Sequence, residues 1–288
     1  MVEPIVLAST NNADKVKEIT EKLESGVAEL FDSASYQNYL KFLGKFHNYS
    51  FRNTLLIMFQ GGELVAGYKT WQKMGRNVKK GERGIKIIAP APFKKTVKRM
   101  KLVDGVLTEN EEEVKVPAYK VTTVFDVSQT EGVELPECPA KELVGDVENV
   151  VEVFKALEEI APVPIVWENI TNGSNGYFSA MKGKIAIKEG MPAAQTIKTI
   201  IHEIAHSIFH ANGEVKDKRT KEVQAESVAY TVCNYYGLDT SDYSFGYIAD
   251  WSRGKEMTEL KESLEIIRNT AHDLIEKIDG KLFTKEII

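Results

Sequence analysis

The chain has 288 residues, of which 43% are hydrophobic and 27% charged, a composition that excludes fibrous repeats and long disorder and allows two ordinary domains with proper cores. Its net charge of -5 conceals an asymmetry: residues 1–130 carry 20 Lys+Arg against 15 Asp+Glu, and the remainder 17 against 27. Within residues 64–101 there are 12 basic residues and one acid, Glu82, a local field that suits a polyanionic partner.

In chain order, "MVEPIVLAST" lacks the basic start and longer apolar run of a secretory signal. No apolar stretch reaches the ~20 residues that cross a bilayer, so a cytoplasmic protein without a membrane partner is expected. The segment "ADKVKEITEKLESGVAELF" places Val16, Ile19, Leu23, Val27 and Leu30 at helical spacing. A second helix is expected over "SASYQNYLKFLGKFH", with Tyr36, Tyr39, Leu40, Leu43 and Phe46 as its stripe. "GIKIIAP" and "AYKVTTVFDV" read as strands, separated by a charged hairpin over 93–117 that turns at Asp104-Gly105. Glycines, prolines and acids between 131 and 145 mark a domain boundary. Beyond it come a helix, "VENVVEVFKALEEI", a strand, "VPIVWEN", and a hairpin, "NGYFSAMKGKIAIKEGM". The last long helix, "LKESLEIIRNTAHDLIEKI", has too few heptads to favour a coiled coil over packing within the chain. Cys138 and Cys233 form no metal-binding or disulfide framework.

The segment "TIKTIIHEIAHSIFH" contains His202, Glu203 and His206 in the pattern H-E-x-x-H. On a helix, Ile197, Ile200, Ile201, Ile204, Ala205 and Ile208 share one face, and the two histidines fall one turn apart on nearly the opposite face, where they can grip one ion. A catalytic zinc site needs a third protein ligand and an open position. The next helix, "TKEVQAESVAYTVCNYYG", offers Glu222 and Glu226, with the small Ala225 and Ala229 allowing close approach. Glu226 is the preferred third ligand and Glu222 its supporting partner or the alternative ligand. Glu203 would serve as general base for water acidified by Zn2+. Tyr177, Tyr230, Tyr243 and Tyr247 are candidate oxyanion donors, and the strand "KIAIKE" could pair with an extended peptide.

Residues 65–95 interleave Tyr68, Trp71 and Phe93 with Lys69, Lys73, Arg76, Lys79, Lys80, Arg83 and Lys86. Cations along a groove neutralise phosphates and aromatics stack unpaired bases; the bland reading is a basic surface with its aromatics turned into the core. The glycines at 75, 81 and 84 form neither a Walker A loop nor a dinucleotide fingerprint.

"NYSFRNTLLIMFQ", "VAGYKTWQKMGRNVKKGERGIKIIAP" and "VFDVSQTEG" resemble the N-terminal domain of ArdC-type antirestriction proteins and their LtrC-like relatives. "IIHEIAH" and "KEVQAESVAY" resemble the zincin-like metallopeptidase domain that follows in that family. The resemblance implies a two-domain α+β protein: an N-terminal helix-plus-antiparallel-sheet domain over 1–135 that binds single-stranded DNA, and a metallopeptidase domain over 136–288, associated with mobile DNA. Carried across residue by residue, it makes His202, His206 and Glu226 metal ligands and Glu203 the base, and places Arg52, Trp71 and the cations from Lys73 to Arg83 in the DNA-binding segment. The leading expectation is a single-stranded-DNA-binding zinc peptidase acting on an unidentified protein. The alternatives are a non-proteolytic DNA-binding antirestriction protein, its metal domain serving structure or protein recognition, and a DNA-recruited regulatory protease that cleaves a repressor.

Overall fold

A computed structural model describes residues 2–103, 106–135, 147–211, 217–238 and 245–283. Cys138, Tyr243, the Asp104-Gly105 turn and the boundary residues 136–145 lie outside them. The chain divides into two compact units: Met1–Ser25 with Leu56–Val133, and Gly26–Leu55 with Glu134–Ile288.

In the first unit, α1 (Asn12–Glu29) begins and α3 (Phe51–Phe59) ends. A three-stranded antiparallel sheet has the order β1 (Val65–Ala66), β6 (Tyr119–Asp126), β3 (Ile85–Pro90). The two long strands are those expected from their β-branched residues; Ile85, Ile87 and Val124 supply buried side chains. Two elements were not expected: α4 (Tyr68–Lys73) and a short ladder between β2 (Arg76–Val78) and β7 (Thr130–Gly132). The hairpin of β4 (Phe93–Val103) and β5 (Val106–Val116) forms its own two-stranded ladder. Its basic strand is paired diagonally with its acidic one: Lys94 with Glu113 at 2.8 Å, Lys98 with Glu109 at 2.7 Å and Arg99 with Glu112 at 3.9 Å.

Asp126 ties this unit together. It is 2% exposed and accepts the N–H groups of Glu63 (2.7 Å), Leu64 (2.9 Å) and Ser128 (2.9 Å) as well as the Ser128 hydroxyl (2.6 Å). Gln129 completes a capping box around the 3₁₀ turn Val127–Gln129.

In the second unit, α2 (Ser33–Lys45), α5 (Val147–Ile160), α6 (Ala193–Ala211), α7 (Lys218–Tyr235), α8 (Ile248–Ser252) and α9 (Met257–Leu282) surround a sheet of order β8 (Ile165–Glu168), β10 (Lys184–Lys188), β9 (Gly176–Ser179). β10 runs parallel to β8 and antiparallel to β9. Its Ile185, Ala186 and Ile187 are all buried, as a strand covered on both faces requires. "KIAIKE" is therefore a central strand with both edges taken, and the expected peptide pairing cannot occur there; the sheet's edges belong to β8 and β9. Leu260, Leu264, Ile267, Ala271, Leu274 and Ile278 of α9 are buried within this unit, which uses the stripe for packing and not for a coiled coil.

The expected linear division, 1–135 and 136–288, differs from these units at Gly26–Leu55. The reason is packing: Tyr36, Tyr39, Leu40 and Leu43 of α2 are fully buried, and the Tyr36 hydroxyl lies 2.9 Å from Ser227 Oγ on α7. A β-carbon added to Gly44 would stand 3.2 Å from the Thr231 carbonyl, so α2 and α7 are in close contact.

The donors around Asp126 make a pH-dependent prediction. Burial would raise its pKa, but the hydrogen bonds from Ser128, Leu64 and Glu63 outweigh it and hold the carboxyl below its ordinary 3.8. A depressed folded pKa stabilises above the unfolded value and loses that contribution as pH falls through the folded one. Asp126→Ala should cost about 3 kcal/mol at pH 7 in urea unfolding followed by circular dichroism, and its difference from the native protein should shrink between about pH 4 and pH 2.

Candidate functional site

The Ile197, Ile200, Ile201 and Ile204 side chains of α6 are at most 1% exposed, and burying them turns His202 and His206 towards α7. That helix starts at Asp217, whose carboxylate accepts the Thr220 N–H (2.9 Å) and hydroxyl (2.6 Å). Val223, Ala225, Val228 and Ala229 are fully buried, which fixes the face on which Glu222 and Glu226 emerge.

His202 Nε2 and His206 Nε2 are 3.0 Å apart, and Glu222 Oε2 lies 3.5 Å from the first and 3.4 Å from the second. They are one of two groups among the described residues whose donor atoms converge within 4.8 Å. Two imidazoles and a carboxylate from helices held by packing fit a divalent cation. The structure brings Glu222, and not the preferred Glu226, to the histidines. Glu226 is occupied one turn further along α7, where its Oε2 accepts the hydroxyl of Tyr247, the residue before α8.

The electrostatics separate the three carboxyls. Hydrogen bonding to His202 and His206 holds Glu222 far below the ordinary carboxylate range. Burial pushes Glu203, 7% exposed, above its ordinary value; the two imidazoles and the Phe178 N–H that it accepts offset this only in part. Burial also raises Glu226. For His202, burial favours the neutral form, but the bond to Glu222 and the fields of Glu203, Glu222 and Glu226 outweigh it and raise the pKa. Tyr247 is raised by burial and then by Glu226.

A cleft of about 330 Å3 opens beside Asn175, Lys198, Thr199, His202, Glu203 and Glu226. Another, of about 560 Å3, is bordered by Tyr177, Phe178, His206, Lys218, Lys221 and Glu222. β9 approaches α6 closely because Gly176 has no side chain: a β-carbon there would meet Thr199 at 2.7 Å and the Ala186 carbonyl at 2.9 Å. Of the candidate oxyanion donors, Tyr230 is a core residue, 2% exposed and edge-on to Phe245. The Tyr177 hydroxyl donates to Glu168 at 2.8 Å, and that of Tyr247 to Glu226. The Phe178 N–H and Lys198, Lys218 and Lys221 carry no motif; the hairpin immediately before the histidine helix was the only sequence sign of the first of them.

In the N-terminal unit, Lys69, Lys73, Lys79, Lys80 and Arg83 are exposed. Arg76 is pinned instead: its Nε donates to Thr130 Oγ1 (2.8 Å) and its guanidinium to the Thr130 and Val133 carbonyls. Trp71, expected in the DNA-binding segment, is 1% exposed and donates its indole N–H to the Phe125 carbonyl at 2.8 Å, so its ring fills the core and cannot stack on a base. Among the described residues of this unit, Phe59 (40%), Tyr68 (49%), Phe93 (51%) and Tyr119 (57%) are the exposed aromatics. Arg52, exposed on α3, belongs to the other unit. A groove of about 680 Å3 is bordered by Lys15, Arg83, Lys86, Phe125 and residues 4–7.

This mixed helix-and-sheet chain matches known proteins along most of its length. Residues 11–125 match the N-terminal domain of anti-restriction factor ArdC. The uncharacterised protein pXO2-81 of Bacillus anthracis is 28% identical over 311 residues, covering 93% of this chain and 52% of the relative; the chain thus spans about half that protein's length. The crystal structure of the antirestriction ArdC protein from the R388 plasmid is similar in its metal-free form at 20% identity and a TM-score of 0.48, over 80% of this chain and 84% of that one. In its Mn(II)-bound form the figures are 16%, 0.50, 93% and 98%, a likeness of fold. The family likeness lies in the N-terminal part, where residues 11–125 match the ArdC N-terminal domain.

The ligand assignment is checked by isothermal titration with Zn2+. Glu222→Gln should weaken binding by more than about 100-fold and Glu226→Gln by less than about 10-fold.

Proposed function

We propose that this chain is a single-stranded-DNA-binding, divalent-metal-dependent peptidase of the antirestriction type, with a zincin-like second unit. The observation that carries the reading is the convergence of His202, His206 and Glu222 with Glu203 buried beside them. A divalent ion held by these three residues, Zn2+ from the donor set, would supply Lewis acidity to polarise a carbonyl and acidify water. The R388 ArdC protein has a Mn(II)-bound structure, which supports a divalent ion without choosing the element.

Glu203 is suited to moving a proton. Burial raises its affinity for a proton, which suits it to accept one from the attacking water and release it to the leaving nitrogen. The Phe178 N–H fixes its carboxylate and puts β9 alongside. As an edge strand beside α6, β9 could pair with an extended peptide laid along the histidine helix. Tyr247, whose hydroxyl donates to Glu226, is a candidate for steadying the oxyanion.

Single-stranded DNA is assigned to the N-terminal unit. Lys69, Lys73, Lys80 and Arg83, and Lys79 with its ammonium on the Ser128 carbonyl, present exposed charge for phosphates, and Tyr68 and Tyr119 present open rings for bases. Three of the hairpin's cations, Lys94, Lys98 and Arg99, are matched by its own glutamates and add little to this field.

Two measurements separate the activities. With a peptide library and Zn2+-loaded protein, Glu203→Gln should lower kcat about 1000-fold while leaving zinc content intact; unchanged cleavage would remove Glu203 from the chemistry. In fluorescence titrations with single-stranded DNA, Lys79→Glu/Lys80→Glu/Arg83→Glu should weaken binding and flatten the slope of log K against log salt by about 2. A slope identical to that of the native protein would exclude this surface.

A further inference from the structure

His47 follows α2 and is 6% exposed, a deep position for a histidine outside the H-E-x-x-H helix. Its Nδ1 lies 3.1 Å from Nδ1 of His272 and 3.9 Å from a carboxylate oxygen of Glu276. His272 and Glu276 are four residues apart on α9, so the helix presents both on one face. These are the second group of convergent donors among the described residues, and all three belong to the same compact unit.

The surroundings hold these atoms in place. Arg268, one turn before His272, donates to the carbonyls of His47 (2.8 Å) and Tyr49 (2.7 Å), anchoring the turn after α2 on α9. The Tyr235 ring stands edge-on to His47, its centroid 5.3 Å away. Glu276 is half exposed, leaving an entrance from solvent on one side of an otherwise buried imidazole.

Two Nδ1 atoms at this separation either share a proton or ligate one ion. With Zn–N bonds of 2.0–2.1 Å, tetrahedral ligand nitrogens stand about 3.3 Å apart, close to the spacing here. The H-E-x-x-H triad has its donors 3.0–3.5 Å apart, and the second cluster, at 3.1 and 3.9 Å from His47 Nδ1, is only slightly wider. The positive Arg268 guanidinium is already turned onto carbonyl oxygens, and Asp273 and Glu265 lie in its field.

We propose that His47, His272 and Glu276 form a second divalent-metal site, of zinc type, that clips the turn after α2 onto α9. Its ligands join points 225 residues apart in the chain. An ion that binds only the folded arrangement stabilises it by linkage, so the site is a structural fastener distinct from the hydrolytic one.

The test uses the full chain carrying His202→Ala/His206→Ala, which empties the first site and makes the outcome independent of the peptidase reading. After dialysis against Zn2+ and gel filtration, this double variant should retain one zinc per chain by mass spectrometry of the metal, against two in the native protein. Adding His272→Ala, or separately Glu276→Gln, should reduce the retained zinc to a small fraction. Zn2+ should raise the Tm of the double variant by about 5 °C and leave that of the His272→Ala derivative unchanged. Glu276→Gln preserves side-chain shape, and its circular dichroism spectrum separates ligand loss from unfolding. A double variant without zinc would overturn the proposal, as would one whose zinc survives both further substitutions.

Discussion

The candidate metal centre depends on the burial of one helix face against another helix. Ile197, Ile200, Ile201 and Ile204 give α6 a single orientation in the core of its unit, since each buried aliphatic side chain contributes roughly 1.5–3 kcal/mol. Turning α6 by one residue would rotate its surface by about 100°, exposing isoleucine and removing both imidazoles from α7. The alanines of α7 allow the close approach, and the Asp217 cap sets where that helix begins. Ligand geometry is thus a by-product of apolar packing, which gives it the stiffness that a metal site needs.

Packing also creates the differences among the carboxyls. Glu203, Glu222 and Glu226 lie on two adjoining helices, but each meets a different set of neighbours. Glu222 reaches both imidazoles and is held as a carboxylate. Glu203 is buried with one backbone donor and two imidazole fields, and its affinity for a proton rises. Glu226 has the Tyr247 hydroxyl. Environments that push like groups apart in this way allow one to serve as ligand and another as base.

In the N-terminal unit, the linear density of Lys and Arg overstates the field available to a partner. The cations of the β4–β5 hairpin face glutamates across the ladder, and Arg76 is spent on the carbonyls of Thr130 and Val133. What remains is concentrated from Lys69 to Arg83. Among the aromatics, Trp71 belongs to the core and Tyr119, absent from the expected binding set, is open to solvent. Composition identified the basic region, but alternation along a strand and the phase of a short helix chose which side chains face outward.

Local pattern determined much of this protein. Helical stripes located α1, α2, α5, α6, α7 and α9, β-branched runs located β3 and β6, and the five-residue pattern from His202 to His206 located two candidate ligands and the adjacent acid, because each signal lies within a few residues of chain. Tertiary structure decided what those signals left open: that Glu222 and not Glu226 meets the histidines, that β10 is the central strand of its sheet, that Gly26–Leu55 packs with the C-terminal residues, and that His47 meets His272. The physical reason is common to all four. Each depends on how faces of elements distant in sequence are brought together by burial, and neither spacing nor composition encodes that phase.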